Sequence, residues 1–396
     1  MVEGRSDKAS GGRIRLGMVG GGEGAFIGAV HRLAARMDDH YTFVAGALSS
    51  TPEKAKRSGE ALGLDPARNY ADYETMAREE GKRTDGIEAV AIVTPNYMHA
   101  APVLAFLKAG IHVICDKPLT TTLANAMQLQ KAVEKSGLVF VLTHNYTGYP
   151  LVRHAREMVK SGELGDIRLV QVEYPQEWLT EKLEDSGQKQ ADWRVDPARS
   201  GAGGCIGDIG THAYNLADFI TGLEVTELSA ELTTFVKGRQ LDDNCQVSLR
   251  YANGARGTLW ASQIAPGNEN GLRVRVYGSK GGFLWVQANP NYLEFTPYGK
   301  STQIITRGGP GAGAAAGRMT RIPNGHPEGY LEGFANIYTE AARAIRAARA
   351  GKKPPKDVLF PTIADGIKGL AFIEAAVKSS AKDGKWTRLQ APRQLT

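Results

Sequence analysis

Two residues of this 396-residue chain stand at a spacing suited to proton transfer. Asp208 and His212 lie four apart in Gly203-Gly204-Cys205-Ile206-Gly207-Asp208-Ile209-Gly210-Thr211-His212. The segment leads into a helix, and residues four apart on a helical turn can face the same way. A histidine with an orienting carboxylate is a suitable acid/base for moving a hydroxyl proton. A lysine nearby can stabilise a developing alkoxide. Lys117 ends the apolar stretch Val113-Ile114-Cys115-Asp116-Lys117-Pro118, and ligands bind at the carboxyl ends of parallel strands. Plainer readings stand beside these. Lys117-Pro118 also reads as a turn, Asp208 as a helix cap, and His212 as a buried, satisfied core histidine.

A second cluster points to a phosphate. Ile14–Val19 reads as a strand and runs into Gly20-Gly21-Gly22-Glu23-Gly24-Ala25-Phe26-Ile27-Gly28 before a helix. Such a turn lets backbone N–H groups approach a pyrophosphate at a helix N-terminus. Gly20–Ala25 fits G-x-G-x-x-[GA] literally, and the spacing to Gly28 also fits a turn lengthened by three residues. The positions that would face a dinucleotide are Gly20, Gly22, Ala25, Phe26 and Ile27. At the end of the second strand a carboxylate usually holds the ribose 2′-hydroxyl of NAD. This chain has Leu48-Ser49-Ser50-Thr51 there, with Lys54 just beyond. Hydroxyls and an ammonium suit a 2′-phosphate, so Ser49, Ser50 and Lys54 tilt the choice towards NADP, with NAD the alternative. The same hydroxyls could instead cap the following helix.

The elements that must position these residues fall into two patterns. Up to about residue 144, short β-branched runs alternate with helical stretches, and Ile87–Val93 is almost continuously apolar. That is the signature of a parallel sheet with helices on both faces. From Val225 onward several strands follow with short turns, Val247, Leu249 and Tyr251 alternating with polar neighbours, and Asn253-Gly254 marks a hairpin. The expected fold class is a Rossmann-type α/β domain followed by an α+β domain with a large, mostly antiparallel, open-faced sheet. The expected divisions are a flexible segment over 1–12, a dinucleotide-binding domain over 13–144 and a substrate and oligomerisation domain over 145–396. Arg307–Gly317, with sequence RGGPGAGAAAG, reads as a mobile loop that packs no core.

Composition narrows the classes. The 48 basic and 42 acidic residues leave a net charge of +6. The densest basic run, Arg343, Arg346, Arg349, Lys352 and Lys353, reads as a solvated helix face. No zinc-finger, RRM or basic-zipper pattern accompanies it, so a nucleic-acid partner is not expected. Cys115, Cys205 and Cys245 have neither disulfide nor metal-ligand spacing. No apolar run is long enough for a membrane span, and the polar first dozen residues have no signal-peptide core. The expected setting is the reducing cytoplasm. Glycine is the outlier, at 47 residues, well above the usual ~7%.

Together the motifs resemble the Gfo/Idh/MocA oxidoreductase family over nearly the whole chain. They are the Gly20–Gly28 turn, Thr94-Pro95-Asn96 with His99, Asp116-Lys117-Pro118, Asn145, Ser161-Gly162-Glu163-Leu164-Gly165, and the glycine-rich Asp208/His212 segment. Asp116 stands where the family usually has Glu. The glycine turn is longer than the family's. The resemblance implies an NAD(P)-dependent sugar or polyol dehydrogenase with Lys117, Asp208 and His212 as catalytic residues. It adds Thr94, Pro95, Asn96, His99, Asp116 and Asn145 to the cofactor site, His99 having a packing role as its alternative. In this reading His212 takes a hydroxyl proton, Asp208 positions it, Lys117 hydrogen-bonds the reacting oxygen, and hydride passes to the nicotinamide. Trp193 and Arg194 suit a carbohydrate, by stacking and by hydrogen bonding. His326 and Tyr330 join them from a similar stretch in the sugar-acting branch, with Trp178 and Tyr149 as weaker candidates. The resemblance also implies a homodimer or homotetramer through the open sheet face. The alternatives are a glycoside hydrolase working by transient oxidation with bound NAD, and a non-catalytic sensor of the same fold.

Overall fold

The computed structural model describes residues 12–389. The expected flexible segment 1–12 lies, but for Gly12, outside them. In chain order the elements are β1 Ile14–Gly20, α1 Phe26–Met37, β2 Tyr41–Ala47, α2 Pro52–Ala61, α3 Tyr73–Glu80, β3 Ala89–Val93, α4 Ala100–Lys108, β4 His112–Cys115, α5 Leu123–Ser136 and β5 Phe140–Leu142. Then come α6 Pro150–Lys160, β6 Ile167–Pro175, α7 Lys189–Arg194, α8 Pro197–Ser200, α9 Thr211–Thr221, β7 Val225–Thr233, β8 Asn244–Tyr251, β9 Arg256–Ser262, β10 Arg273–Gly278, β11 Gly281–Val286, β12 Tyr292–Pro297 and β13 Gln303–Thr306. The last elements are α10 Ala314–Met319, α11 Tyr330–Arg349, α12 Ile363–Ser380 and β14 Thr387–Arg388.

The chain forms two compact units. The first joins the residues up to Gly148 with Tyr330–Gly366. Its sheet is wholly parallel, in the order β2-β1-β3-β4-β5. Every residue of β3 (Ala-Val-Ala-Ile-Val) is buried, as a strand covered on both faces requires. Strand order reverses beside β1, so a crevice opens at the ends of β1 and β3, where ligands bind in this sheet type.

A boundary at 144/145 would give Tyr330–Gly366 to the second domain. The structure groups it with the first, because α11 completes that core. Phe334, Ile337, Tyr338, Ala341 and Ile345 pack with Ile14, Leu16, Met18, Val30 and Ala34. Tyr338 OH meets His31 Nδ1 at 2.8 Å, and Tyr41 OH donates to the Tyr338 carbonyl at 2.9 Å. Full burial pushes the His31 imidazole down to about 4. The basic face of α11 is paired rather than bare. Arg343 bonds both carboxylate oxygens of Asp357, Arg346 meets His40, and Arg349 pairs with Glu88.

The second unit holds Tyr149–Gly329 and the chain from Ile367. Its nine strands run β13-β12-β11-β10-β6-β9-β8-β7-β14, antiparallel except for the parallel pair β6/β9. Burial alternates along β8, β9 and β12, leaving one face wet. The glycine-rich Arg307–Gly317 stretch is not the mobile loop its composition suggests. Its C-terminal part starts α10, whose Ala316 and Met319 are buried. Arg307 is buried against Glu328 at 3.0 Å and also donates to Asn291 and the carbonyls of Ile322, Pro323 and His326. The Arg307–Glu328 pair lies 21 residues apart in sequence, and it turns a flexible-looking segment into an anchor.

Candidate active site

In the first unit the glycine turn is built by close approach. Gly21 has φ +73°, and a Cβ on Gly28 would lie 2.4 Å from both the Cα and the carbonyl oxygen of Gly21. Gly28 is therefore the packing glycine of a lengthened turn. A side chain on Gly22 would likewise meet Leu48 O and Ser58 Oγ at 2.6 Å. The Gly22 amide donates to Leu48 O (3.1 Å), Glu23 N–H to Ser58 Oγ (3.0 Å) and Ala25 N–H to Gly22 O (3.0 Å). Gly22 and Ala25 thus use their amides to shape the turn. Phe26 and Ile27 open α1, whose Ala25 cap makes no side-chain hydrogen bond; first-turn amides have no partner inside a helix.

Beyond β2, Ser49 Oγ accepts from Thr51 N–H and meets Thr51 Oγ1, both at 3.3 Å, while Ser50 is exposed and Lys54 half-buried. Thr51 makes no cap bond to α2.

At the ends of β3, β4 and β5 the expected residues gather. Asp116 N–H donates to Ile92 O at 2.9 Å; Asp116 Oδ1 accepts from Lys117 N–H (2.8 Å) and Thr143 Oγ1 (2.9 Å). The shorter Asp116 thus serves as a brace for Lys117. Buried His99 meets the carbonyls of Pro118 and Thr94 at 2.8 and 2.9 Å. Its ring is a clip between two loops, in keeping with a packing role. Thr94 Oγ1 donates to Met98 O, Pro95 precedes the 3-10 turn Asn96–Met98, and Asn96 is buried. Asn145 opens another such turn, and its buried Nδ2 has no acceptor among the described residues. His144 was not anticipated. Burial, helped by the charge of Lys117, pushes its imidazole down to about 3. It is therefore a neutral neighbour of that lysine.

The residues of this unit fit a dinucleotide. Gly21, Gly22 and Gly28 have no room for a Cβ, the start of α1 is uncapped, and Asn145 carries a buried donor that a ligand carbonyl would satisfy.

In the second unit Asp208 sits in a π-helical turn, Ile206–Gly210, and His212 follows in α9. Asp208 Oδ2 accepts from Gln263 Nε2 at 3.0 Å and pairs with Arg194 Nε at 3.3 Å. His212 is buried, its ring edge-on to Tyr174 at 6.2 Å. Helix α9 is fixed by a stack of Tyr214 on Phe372 at 4.4 Å. Trp193 and Arg194 lie on α7, with the Arg194 guanidinium 4.4 Å from the Trp193 ring centre. Arg199 ties this segment down through Asp192 and Asp196. His326 is exposed on the stretch anchored by Arg307. Tyr330 belongs to the first unit, edge-on to Tyr146 and Phe334. Trp178 donates to Gln176, and Tyr149 is a buried ring against Trp285.

Gln263 left a readable trace in the sequence. It continues the inward parity of Gly257, Leu259 and Ala261, all buried with it, and a polar side chain on a covered sheet face needs a partner. His144 left none, because its neighbour Lys117 follows a different strand.

A parallel sheet with a glycine turn at its switch point and a braced lysine defines a dinucleotide-binding oxidoreductase. Comparison with known proteins agrees. Residues 14–146 match the profile of the oxidoreductase family with an NAD-binding Rossmann fold, and residues 152–284 match the GFO/IDH/MocA C-terminal domain. The oxidoreductase YfiI of Bacillus subtilis is 36% identical over 95% of this chain and 97% of its own. An oxidoreductase structure from Sinorhizobium meliloti is 59% identical, with a TM-score of 0.86 over 94% of this chain and 99% of that one. An inositol dehydrogenase homologue from Azotobacter vinelandii, solved with NADH and myo-inositol, is 35% identical, with a TM-score of 0.89 over 96% and 98%. The chain belongs to the Gfo/Idh/MocA family of NAD(P)-dependent oxidoreductases.

Proposed function

We propose that the protein is a dehydrogenase that moves hydride between NAD(P) and a hydroxyl-bearing carbon of a sugar, glycoside or polyol. The observation that carries this reading is the Asp208–His212 turn, a buried imidazole and a carboxylate braced by Arg194 and Gln263. His212 takes the hydroxyl proton. Asp208 positions the imidazole and steadies its charged form. Lys117, held through Asp116, hydrogen-bonds the reacting oxygen and lowers the cost of its developing charge. Trp193 offers a stacking face for sugar C–H groups, and Arg194, His326 and Tyr330 are the proposed hydroxyl contacts. The bound nicotinamide supplies the hydride acceptor or donor. The glycine turn with Phe26 and Ile27, together with Thr94, Pro95, Asn96 and Asn145, would hold the dinucleotide. The similar structure solved with NADH and myo-inositol supports a polyol as the first substrate to try.

Ser49, Ser50 and Lys54, with no carboxylate among them, favour NADP. An activity screen of inositols, hexoses, anhydro-sugars and glycosides with each dinucleotide tests the reading. Net NAD(P)H formation on at least one is expected, whereas substrate hydrolysis without it would favour the hydrolase alternative. A preference for NAD of about tenfold, some 1.4 kcal/mol, would sink the argument from Ser49 and Lys54. The open sheet face carries Leu169 paired with Tyr277, and Ile304 opposite Glu294, all partly or well exposed. A second copy of the chain is the proposed cover, giving a dimer or tetramer in sedimentation. The three cysteines are free thiols, and no described helix is long and apolar enough to cross a membrane. Both suit the proposed cytoplasmic setting.

A further inference from the structure

We infer that Asp242 is a positioning residue for the reaction, its carboxylate fixing the turn that carries Asp208 and His212. The inference rests on the dehydrogenase reading. Three consecutive amides of the turn go to this one residue. Asp242 Oδ1 accepts from Gly204 N–H (2.7 Å), its Oδ2 from Ile206 N–H (2.8 Å) and its carbonyl from Cys205 N–H (2.8 Å). The first amides of a helical segment have no partner inside it, and a local side chain usually supplies one. Here the partner comes from the connection between β7 and β8. A Cβ on Gly204 would lie 2.3 Å from the Asp242 carbonyl oxygen, so no side chain can come between them.

The next residue completes the frame. The Asp243 carbonyl accepts from Gln263 N–H at 2.9 Å, and Gln263 Nε2 donates to Asp208 Oδ2 at 3.0 Å. Asp243 is itself pinned by the amides of Phe235 and Val236 and by Arg239. The backbone ahead of Asp208 and the carboxylate of Asp208 are thus both referenced to one dipeptide. Burial pushes the Asp242 carboxyl up to about 6 against the pull of its amide donors. The turn is held by a group whose desolvation is costly.

Asp242→Asn keeps the shape but turns one acceptor into an NH2 group, leaving the Gly204 or Ile206 amide without its partner. With myo-inositol and the other screened polyols, kcat should fall at least about tenfold, the loss of one hydrogen bond to a charged group. KM and dinucleotide Kd should stay near wild type, and amide exchange over residues 203–213 should quicken. Val247→Ala, a core truncation on the adjoining strand β8, supplies the control, lowering Tm without touching those amides and leaving kcat near wild type. Unchanged kcat or unchanged exchange in Asp242→Asn overturns the inference. So does an equal loss of kcat in Val247→Ala, which would mean a merely structural role. Wild-type protein inactive on every sugar and polyol overturns the dehydrogenase reading as well, which separates the two failures.

Discussion

The two glycine-rich segments put the same residue to opposite uses. In Gly20–Gly28, glycine lets the backbone fold on itself until Gly21 and Gly28 touch, and the start of α1 is left uncapped. That segment uses the amides of Gly22, Glu23 and Ala25 for its own shape and presents the first-turn amides of α1. In Gly201–Gly210 the amides of residues 204–206 are all taken up by Asp242. That segment presents side chains, those of Asp208 and His212. Glycine density marks where backbones approach closely, and the destination of the amides separates the proposed anion cradle from the turn that holds the proposed catalytic pair.

The contrast makes the two segments separable by mutation. His212→Ala should cut turnover about 10²–10⁴-fold, the usual worth of a general base, with dinucleotide binding unchanged in a fluorescence titration. A parallel loss of dinucleotide binding would break the contrast. Next is His31→Gln, which tests how firmly α1 is held. His31 is depressed to about 4 in the fold from an ordinary 6.5. Its contribution is full above pH 6.5 and is lost as pH falls towards 4, about 3 kcal/mol in all. Urea unfolding of the glutamine variant should show a flatter loss of stability across that window. Gly28→Ala would place a Cβ 2.4 Å from Gly21. Opening the turn to relieve about 1–3 kcal/mol of overpacking should weaken dinucleotide binding about 5- to 150-fold, with the Asp208/His212 turn unaffected by amide exchange. The smallest effect is expected from Lys54→Ala. Loss of about 1 kcal/mol or less of partly exposed charge should raise the Kd for NADP up to about fivefold and leave that for NAD alone.

Much of this was legible before any coordinates. The apolar run of β3, the turn after β1 and the joint presence of Lys117, Asp208 and His212 are local signals, each set by neighbours within a few residues. Long-range partners were not legible. The apolar stripe of α11 shows that the helix covers something, but not that it covers β1 and α1, so the sequence does not reveal that Tyr330–Gly366 groups with the first unit. Arg307 looked like part of a loop because its partner Glu328 lies 21 residues on. Asp242 and Gln263 reach Asp208 and its turn only through sheet register, which one strand's pattern does not reveal. The turn itself is π-helical rather than α-helical, a distinction the four-residue spacing cannot make.

The proposed activity turns on direct hydride transfer to or from a carbohydrate carbon. Its most direct test is wild-type enzyme with carbon-deuterated myo-inositol, hexoses and glycosides, the reduced dinucleotide being analysed by mass spectrometry. One deuterium per reduced dinucleotide is expected, with a slower rate than with the unlabelled compound. Substrate consumed with no labelled, reduced dinucleotide would contradict it.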